Sequence, residues 1–221
     1  METVKEAKDA IVKELTTDDM EVRAEFLKRY SQEVIGFAEA MAKAFVNWRS
    51  LDCKNIGSSE KRAFVSALVY TAVTLLILSM KLLLSGHVIA AGNLYRQVVE
   101  TMALASLCSS KELDILNRFM EDKYSTNDAV RDMIRHAKKL NVNTDAVKVL
   151  KSIQQFNHGF SHPSVMTIAM GMDFGTGGSY LGPAFDKGKI EAYDKEVRSR
   201  HSCAEVFANF IDGVKNNLAK W

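Results

Sequence analysis

The chain has 221 residues, 47% of them apolar and 25% charged, which is typical of an ordinary globular protein and excludes a disordered or collagen-like chain. Its 29 basic and 27 acidic side chains leave a net charge of +2, too small to indicate nucleic-acid binding by overall electrostatics.

The N-terminal part, residues 1–57, is predicted to be helical. Apolar residues recur at three- and four-residue spacing over Val4–Leu15, which predicts a first helix. The polar segment Thr16–Asp19 is rich in residues that begin helices. A second apolar stripe then predicts a long helix over about 18–49, at the surface of a helix bundle.

The central part, residues 58–164, is predicted to hold five helices. Its region 63–110 carries only three charges, at Lys81, Arg96 and Glu100. The uncharged run Val65–Met80 is shorter than the roughly 20 residues that span a bilayer, so we expect a buried central helix and no membrane segment. The five helices are predicted at about 59–84, 88–109, 113–123, 125–140 and 144–160.

Residues 171–188 hold six of the twelve glycines. We therefore predict a glycine-rich loop over 165–188, or a short hairpin pairing 168–174 with 179–185. The loop lacks the Gly-Lys-Ser/Thr of a phosphate-binding P-loop. A final helix is predicted over 189–221. The predicted fold class is all-α, a single-domain multi-helix bundle.

The cysteines Cys53, Cys108 and Cys203 are far apart and odd in number, which favours a reduced compartment. The N-terminal segment is acidic and lacks the build of a secretory signal, so we expect a cytoplasmic protein. Cys108 and Cys203 are predicted to be buried small residues. The long second helix and a Met-rich surface make a homodimer a further expectation.

Arg96 and Glu100 lie one helical turn apart among small and apolar neighbours. Burying a charge is costly unless the charge is paired or used. Arg presents donors suited to phosphate or carboxylate, and Glu could orient it or act as a general base. The alternative is a structural ion pair that fixes the register of a core helix.

A second group of polar side chains lies at the end of the predicted 144–160 helix, where Asn157, His158, Ser161 and His162 are interleaved. They could bind a small ligand or a scissile phosphate. The two histidines could bind zinc, but the sequence shows no third ligand, so no metal or other cofactor is predicted. The alternative is that both histidines interact with the dipole at the helix C-terminus.

Two groups of basic side chains are typical of solvated faces, and they would contact RNA phosphates only if the two faces met. They are Arg131, Arg135, His136, Lys138 and Lys139 in the first group, and Arg198, Arg200 and His201 in the second.

The Arg96-x-x-x-Glu100 helix, followed by Ser161-His162, resembles a family of bacterial all-helical proteins with these motifs. The arrangement, over about 64–164, is also distantly similar to the HEPN superfamily of helical nucleases and nucleotide-binding proteins. Nuclease members of that superfamily carry an Arg shortly before the His. Here Asn157 stands at the place of that Arg, and Asn cannot supply a cation to a phosphorane, so Arg96 would have to supply it from another helix.

The sequence therefore predicts a buried polar pocket for a phosphate-bearing or anionic ligand, such as a nucleotide or RNA. The residues predicted to line it are Arg96, Glu100, Asn157, His158 and Ser161. Two alternatives stay open. The HEPN resemblance implies a ribonuclease or defence toxin with His162 as the catalytic acid or base. A purely structural interaction protein would use Arg96 and Glu100 as scaffolding.

Overall fold

The computed structural model describes residues 3–55 and 59–221, except the side chains of residues 53–55. The ten described helices are α1 Val4–Thr16, α2 Met20–Asn55, α3 Glu60–Leu84, α4 Val88–Cys108, α5 Ile115–Met120, α6 Ala129–Arg135, α7 Ala137–Leu140, α8 Thr144–His158, α9 Val165–Met170 and α10 Ile190–Leu218. Short 3-10 turns lie at Lys111–Leu113, Thr126–Asp128 and Lys187–Lys189. No strand occurs in this described part of the chain, so the predicted all-α, single-domain bundle is confirmed.

Several helices begin where a polar side chain satisfies a free backbone N–H. Thr3 forms a capping box with Glu6 before α1. Ser59 accepts a hydrogen bond from the backbone N–H of Arg62 and begins α3. Asn143 accepts from two backbone N–H groups and begins α8. These caps explain why the predicted starts of these helices lie close to the observed ones.

Helix α4 is the centre of the domain. It packs against α3, α6, α8 and α10, and most of its residues are buried. Helix α2 packs against α3 and α10. The core is therefore built around the charge-poor segment that the sequence singles out.

Only one face of helix α3 is buried in the domain. Of the described helices, it alone is long and apolar enough to cross a membrane by length and composition, and 44% of its most apolar window is buried in the fold. Its outward face exposes Tyr70, Ile77 and Leu78. The predicted buried central helix thus has one buried face and one exposed face, which carries no charge between Ala63 and Met80 but does carry the exposed Lys81.

Several predicted boundaries differ from the observed ones. Helix α2 continues to Asn55, past the predicted end near residue 49, and has a kink at Tyr30. The Cys53 side chain lies outside the described part of the chain. The predicted 125–140 helix is interrupted at His136, which separates α6 from α7. Helix α9, Val165–Met170, lies within the segment 165–188 that is predicted to be a loop.

The glycine-rich segment forms a loop rather than a hairpin, with a single antiparallel bridge between Met172 and Ser179. Lys189 anchors this loop from the start of α10. Its buried ammonium donates to the backbone oxygens of Met170 and Met172 and lies 5.1 Å from the ring centroid of Tyr180. The buried carboxylate of Asp186, 3.6 Å from this ammonium, supplies the counter-charge, so the buried cation is paired and fixes the path of the loop.

Arg200 is fully buried, so the prediction that it belongs to a solvated basic face is wrong. Its Nε donates to Ser79 Oγ at 2.8 Å, and its Nη1 pairs with the Glu196 carboxylate one turn earlier on α10. Its guanidinium lies 4.6 Å from the ring centroid of Tyr95. A counter-charge at i−4 and an aromatic face make this burial tolerable.

The prediction that Cys108 and Cys203 are buried is confirmed. Burial raises the pKa of each thiol to about 12. Both side chains therefore remain protonated at neutral pH and pack as small apolar residues.

Candidate functional site

The candidate site is built on one face of α4. The Nε atom of Arg96 donates to Glu100 Oε1 at 2.8 Å, and the two side chains are 17% and 11% exposed. Gln154 of α8 donates to the same carboxylate oxygen at 2.9 Å. The carboxylate thus accepts from a cation and an amide, which offsets much of the cost of its burial.

The end of α8 meets the other edge of the guanidinium. Arg96 Nη1 lies 2.9 Å from His158 Nδ1 and 3.3 Å from Ser161 Oγ. Ser161 in turn donates to Asn93 Oδ1 on α4 at 2.7 Å. Gln154 and His158 reach α4 together because they lie one turn apart on the same face of α8.

A third segment completes this arrangement. Arg96 Nη2 donates at 3.1 Å to Asn127 Oδ1, which lies on the 3-10 turn before α6. The guanidinium therefore joins three parts of the chain that are far apart in sequence. We call this set the Arg96 cluster; it consists of Asn93, Arg96, Glu100, Asn127, Gln154, His158 and Ser161.

A close helix approach makes the cluster geometrically feasible. Gly92 on α4 faces the ring of Phe160, and a Cβ atom at Gly92 would lie only 2.2 Å from Phe160 Cδ2. Phe160 is 3% exposed, and the backbone N–H groups of Phe160 and Ser161 bond to the carbonyls of Asn157 and His158. The missing side chain at position 92 lets this turn lie directly on α4, next to Arg96.

The two histidines form a pair beside the cluster. Arg is always a donor, so His158 Nδ1 accepts the bond from Arg96, and the proton of a neutral His158 is on Nε2. The ring centroids of His158 and His162 lie 4.5 Å apart in an edge-to-face arrangement. His162 is exposed and reaches the cluster through its contact with His158.

Two expectations about the site need correction. Asn157 is 1% exposed and lies apart from the cluster: its Nδ2 donates to the Ile153 carbonyl, and its Oδ1 has no hydrogen-bond partner in the described part of the chain. The site is also not an enclosed pocket, because His158 and Ser161 are exposed. Only the Arg96–Glu100 edge of the cluster is buried.

Three members of the cluster were not predicted as site residues. Asn93 and Gln154 could have been found, because Asn93 precedes Arg96 by three residues and Gln154 precedes His158 by four, both helical spacings. Asn127 gave no such signal, since its position depends on how the short 3-10 turn packs against α4.

The described residues contain no group of three or more His, Cys, Asp or Glu side chains that could hold a metal ion. The two histidines therefore have no third ligand within that part of the chain, and a zinc site there would have an incomplete ligand set.

Comparisons with models of protein families, with curated proteins and with solved structures find no match to this chain. The resemblance to HEPN proteins stays a prediction, as do the cytoplasmic location and the homodimer.

Proposed function

We propose that the Arg96 cluster binds a phosphate-bearing or other anionic ligand, such as a nucleotide or an RNA phosphate. The observation that carries this proposal is that the nitrogen atoms of one guanidinium have two kinds of partner, one charged and the others neutral. Glu100 holds the Nε atom in the buried part of the site, while the two Nη atoms meet neutral partners at the surface. A neutral partner is exchangeable for an anion, whereas a carboxylate partner competes with one.

Ligand binding would reuse the geometry already present. The Glu100 contact orients the guanidinium, so its planar fork is preorganised for two parallel bonds to phosphate or carboxylate oxygens. Hydrogen bonds to charged groups contribute about 1.5–3 kcal/mol each. The exposed His158 adds its Nε2–H as a neutral donor to that anion, whereas the hydroxyl proton of Ser161 is already donated to Asn93.

Isothermal titration calorimetry with inorganic phosphate, AMP and a short single-stranded RNA tests this proposal. Arg96→Lys keeps the charge and removes the fork, so we expect binding to weaken by about tenfold or more. Arg29→Lys is the matched control, because Arg29 is also paired with a carboxylate, Asp194, on another surface. Equal affinities for the wild type and Arg96→Lys, or no binding of any of the three probes, would overturn the proposal.

A second candidate function is cleavage of RNA, and a specific observation supports it. Two imidazoles lie in contact beside a guanidinium. Metal-independent cleavage requires one group to accept the proton of the attacking 2′-hydroxyl, another to protonate the leaving oxygen, and a cation to stabilise the phosphorane. His162 is suited to one of the two proton-transfer roles, and Arg96 is suited to the role of the cation, which Asn157 cannot supply. His158 can take the other proton-transfer role only when its Nδ1 releases the bond from Arg96.

Incubation of the purified protein with a fluorescently labelled RNA tests this candidate. Cleavage should be lost in His162→Ala and retained in His136→Ala, a histidine on the break between α6 and α7. An intact RNA after long incubation with the wild type, or equal cleavage by both variants, would exclude this ribonuclease mechanism and leave the binding proposal standing.

A further inference from the structure

A large cleft lies between α8 and α10, and none of its lining residues belongs to the Arg96 cluster. Helices α8 and α10 both lie on α4 but hardly touch each other, and the space between them has a volume of about 640 Å³. Met102 of α4 forms its floor, Val147 and Ile153 of α8 form one wall, and Cys203 and Phe210 of α10 form the other. The 141–143 loop borders one end.

None of the described side chains that line this cleft is charged, although a quarter of the chain is charged. The charged residues of the two wall helices lie on their other faces, as Lys148 and Asp212 do. The polar groups in the lining are hydroxyls and amides, among them Ser202 and Asn209. A cleft with this lining favours an uncharged ligand, since a buried ionic group would find no counter-charge there.

Gly213 provides a second, independent observation. It lies inside α10 and lines the cleft, and a Cβ atom built on it would meet no atom within 4 Å. Glycine inside a helix costs about 1 kcal/mol relative to alanine. No contact within the described chain requires that cost, whereas an occupant of the cleft would require the clearance.

From these features we propose that the cleft is a binding site for a small, uncharged and mainly apolar molecule with a hydroxyl or carbonyl group, such as a long-chain alcohol. The volume lies within the roughly 300–1,000 Å³ of small-molecule sites, and an apolar lining with a few polar groups is typical of them. None of the Arg96 cluster residues lines the cleft, so this site is separate from the proposed anion site.

Fluorescence titration with the uncharged probe N-phenyl-1-naphthylamine tests the site on the full chain. We expect saturable binding of one probe per chain in the wild type. Gly213→Leu fills the cleft and should raise the dissociation constant by about tenfold or more, whereas Asn216→Leu, on the exposed face of the same helix, should change it by less than about twofold. Gly213→Ala checks that helix α10 tolerates a side chain at this position.

Competition between two ligands of equal chain length tests the charge argument without any substitution. 1-Decanol should displace the probe at a concentration about tenfold lower than decanoate, because the cleft offers no cation to a carboxylate. Equal displacement by both, or equal probe affinity of Gly213→Leu and the wild type, would overturn the proposal. The proposal would also be overturned if sedimentation showed a dimer at the protein concentrations where the probe no longer binds, because a second copy of the chain would then occupy the cleft.

Discussion

Replacing Gly92 by alanine places a methyl group where the Phe160 ring already lies. The new Cβ atom would be 2.2 Å from Phe160 Cδ2, 2.6 Å from Cγ and 2.7 Å from Cε2. Ordinary carbon contacts begin near 3.5 Å, so the ring would have to move by about 1 Å. Phe160 is almost fully buried, and a ring in a close-packed interior has little room for such a shift.

The magnitude follows from two opposing effects. Overpacking a well-packed site costs typically about 1–3 kcal/mol, and three close contacts to a rigid ring favour the upper end. Alanine is favoured over glycine inside a helix by about 1 kcal/mol. We therefore expect Gly92→Ala to lower the free energy of unfolding by about 2 kcal/mol.

Urea unfolding followed by circular dichroism measures this effect, and Gly213→Ala is the matched control. The same substitution at position 213 meets no atom, so it should raise the free energy of unfolding by about 1 kcal/mol. Gly92→Ala combined with Phe160→Leu should be more stable than the sum of the two single changes predicts. If Gly92→Ala is as stable as Gly213→Ala, the close approach of Phe160 to α4 does not constrain this site.

Three further predictions concern other parts of the molecule. Glu196→Ala should lower the free energy of unfolding by about 3–5 kcal/mol in urea, because it leaves the buried Arg200 guanidinium without a counter-charge; a loss below about 1 kcal/mol contradicts this. In the Cys53→Ser variant, the buried thiols of Cys108 and Cys203 should react with Ellman's reagent only after unfolding, because burial raises the pKa of each to about 12. Rapid labelling of the folded variant would refute this. The hydrogen bond from the Tyr30 hydroxyl lowers the pKa of Asp194, so this carboxylate stabilises the fold above its unfolded pKa and the stabilisation is lost as the pH falls through its folded pKa. In thermal unfolding, Asp194→Asn should therefore be less stable than the wild type near neutral pH and equally stable in acid. A difference in stability that does not depend on pH would count against this.

The long helices could be predicted because the helical spacing of their apolar residues and the residues that bound them indicate the same segments. Helices α3, α4 and α10 have continuous apolar stripes bounded by polar or glycine residues, so both signals give the same boundaries within a few residues. The region from 111 to 140 could not be resolved in this way. Its helices are short, and their ends depend on packing against α4, with Asp114 and Asn141 in left-handed backbone conformations that no apolar pattern indicates.

The same distinction applies to charged residues. Arg96 stands out because its sequence neighbours are apolar, and the structure shows it largely buried. Arg200 is more completely buried, yet it lies between charged residues on an amphipathic helix, and its partner Ser79 is on α3. Charge density along the chain therefore indicates the buried pair Arg96 and Glu100, although Lys81 in the same apolar region is exposed, and it misses a buried charge on a helix whose opposite face is polar.

The structural and ligand-binding interpretations of Arg96 make separable predictions because they depend on different edges of one guanidinium. The Nε bond to Glu100 lies within α4 and is largely buried, so it contributes to stability. The Nη contacts to His158 and Asn127 bridge distant segments at the surface, where an anion could replace them. Arg96→Met with Glu100→Leu removes the buried pair together and replaces it with apolar groups, which can be nearly neutral for folding. If Arg96 and Glu100 are only scaffolding, this double variant should fold and match the wild type in both stability and phosphate binding. If they form the proposed binding site, the double variant should fold but no longer bind phosphate.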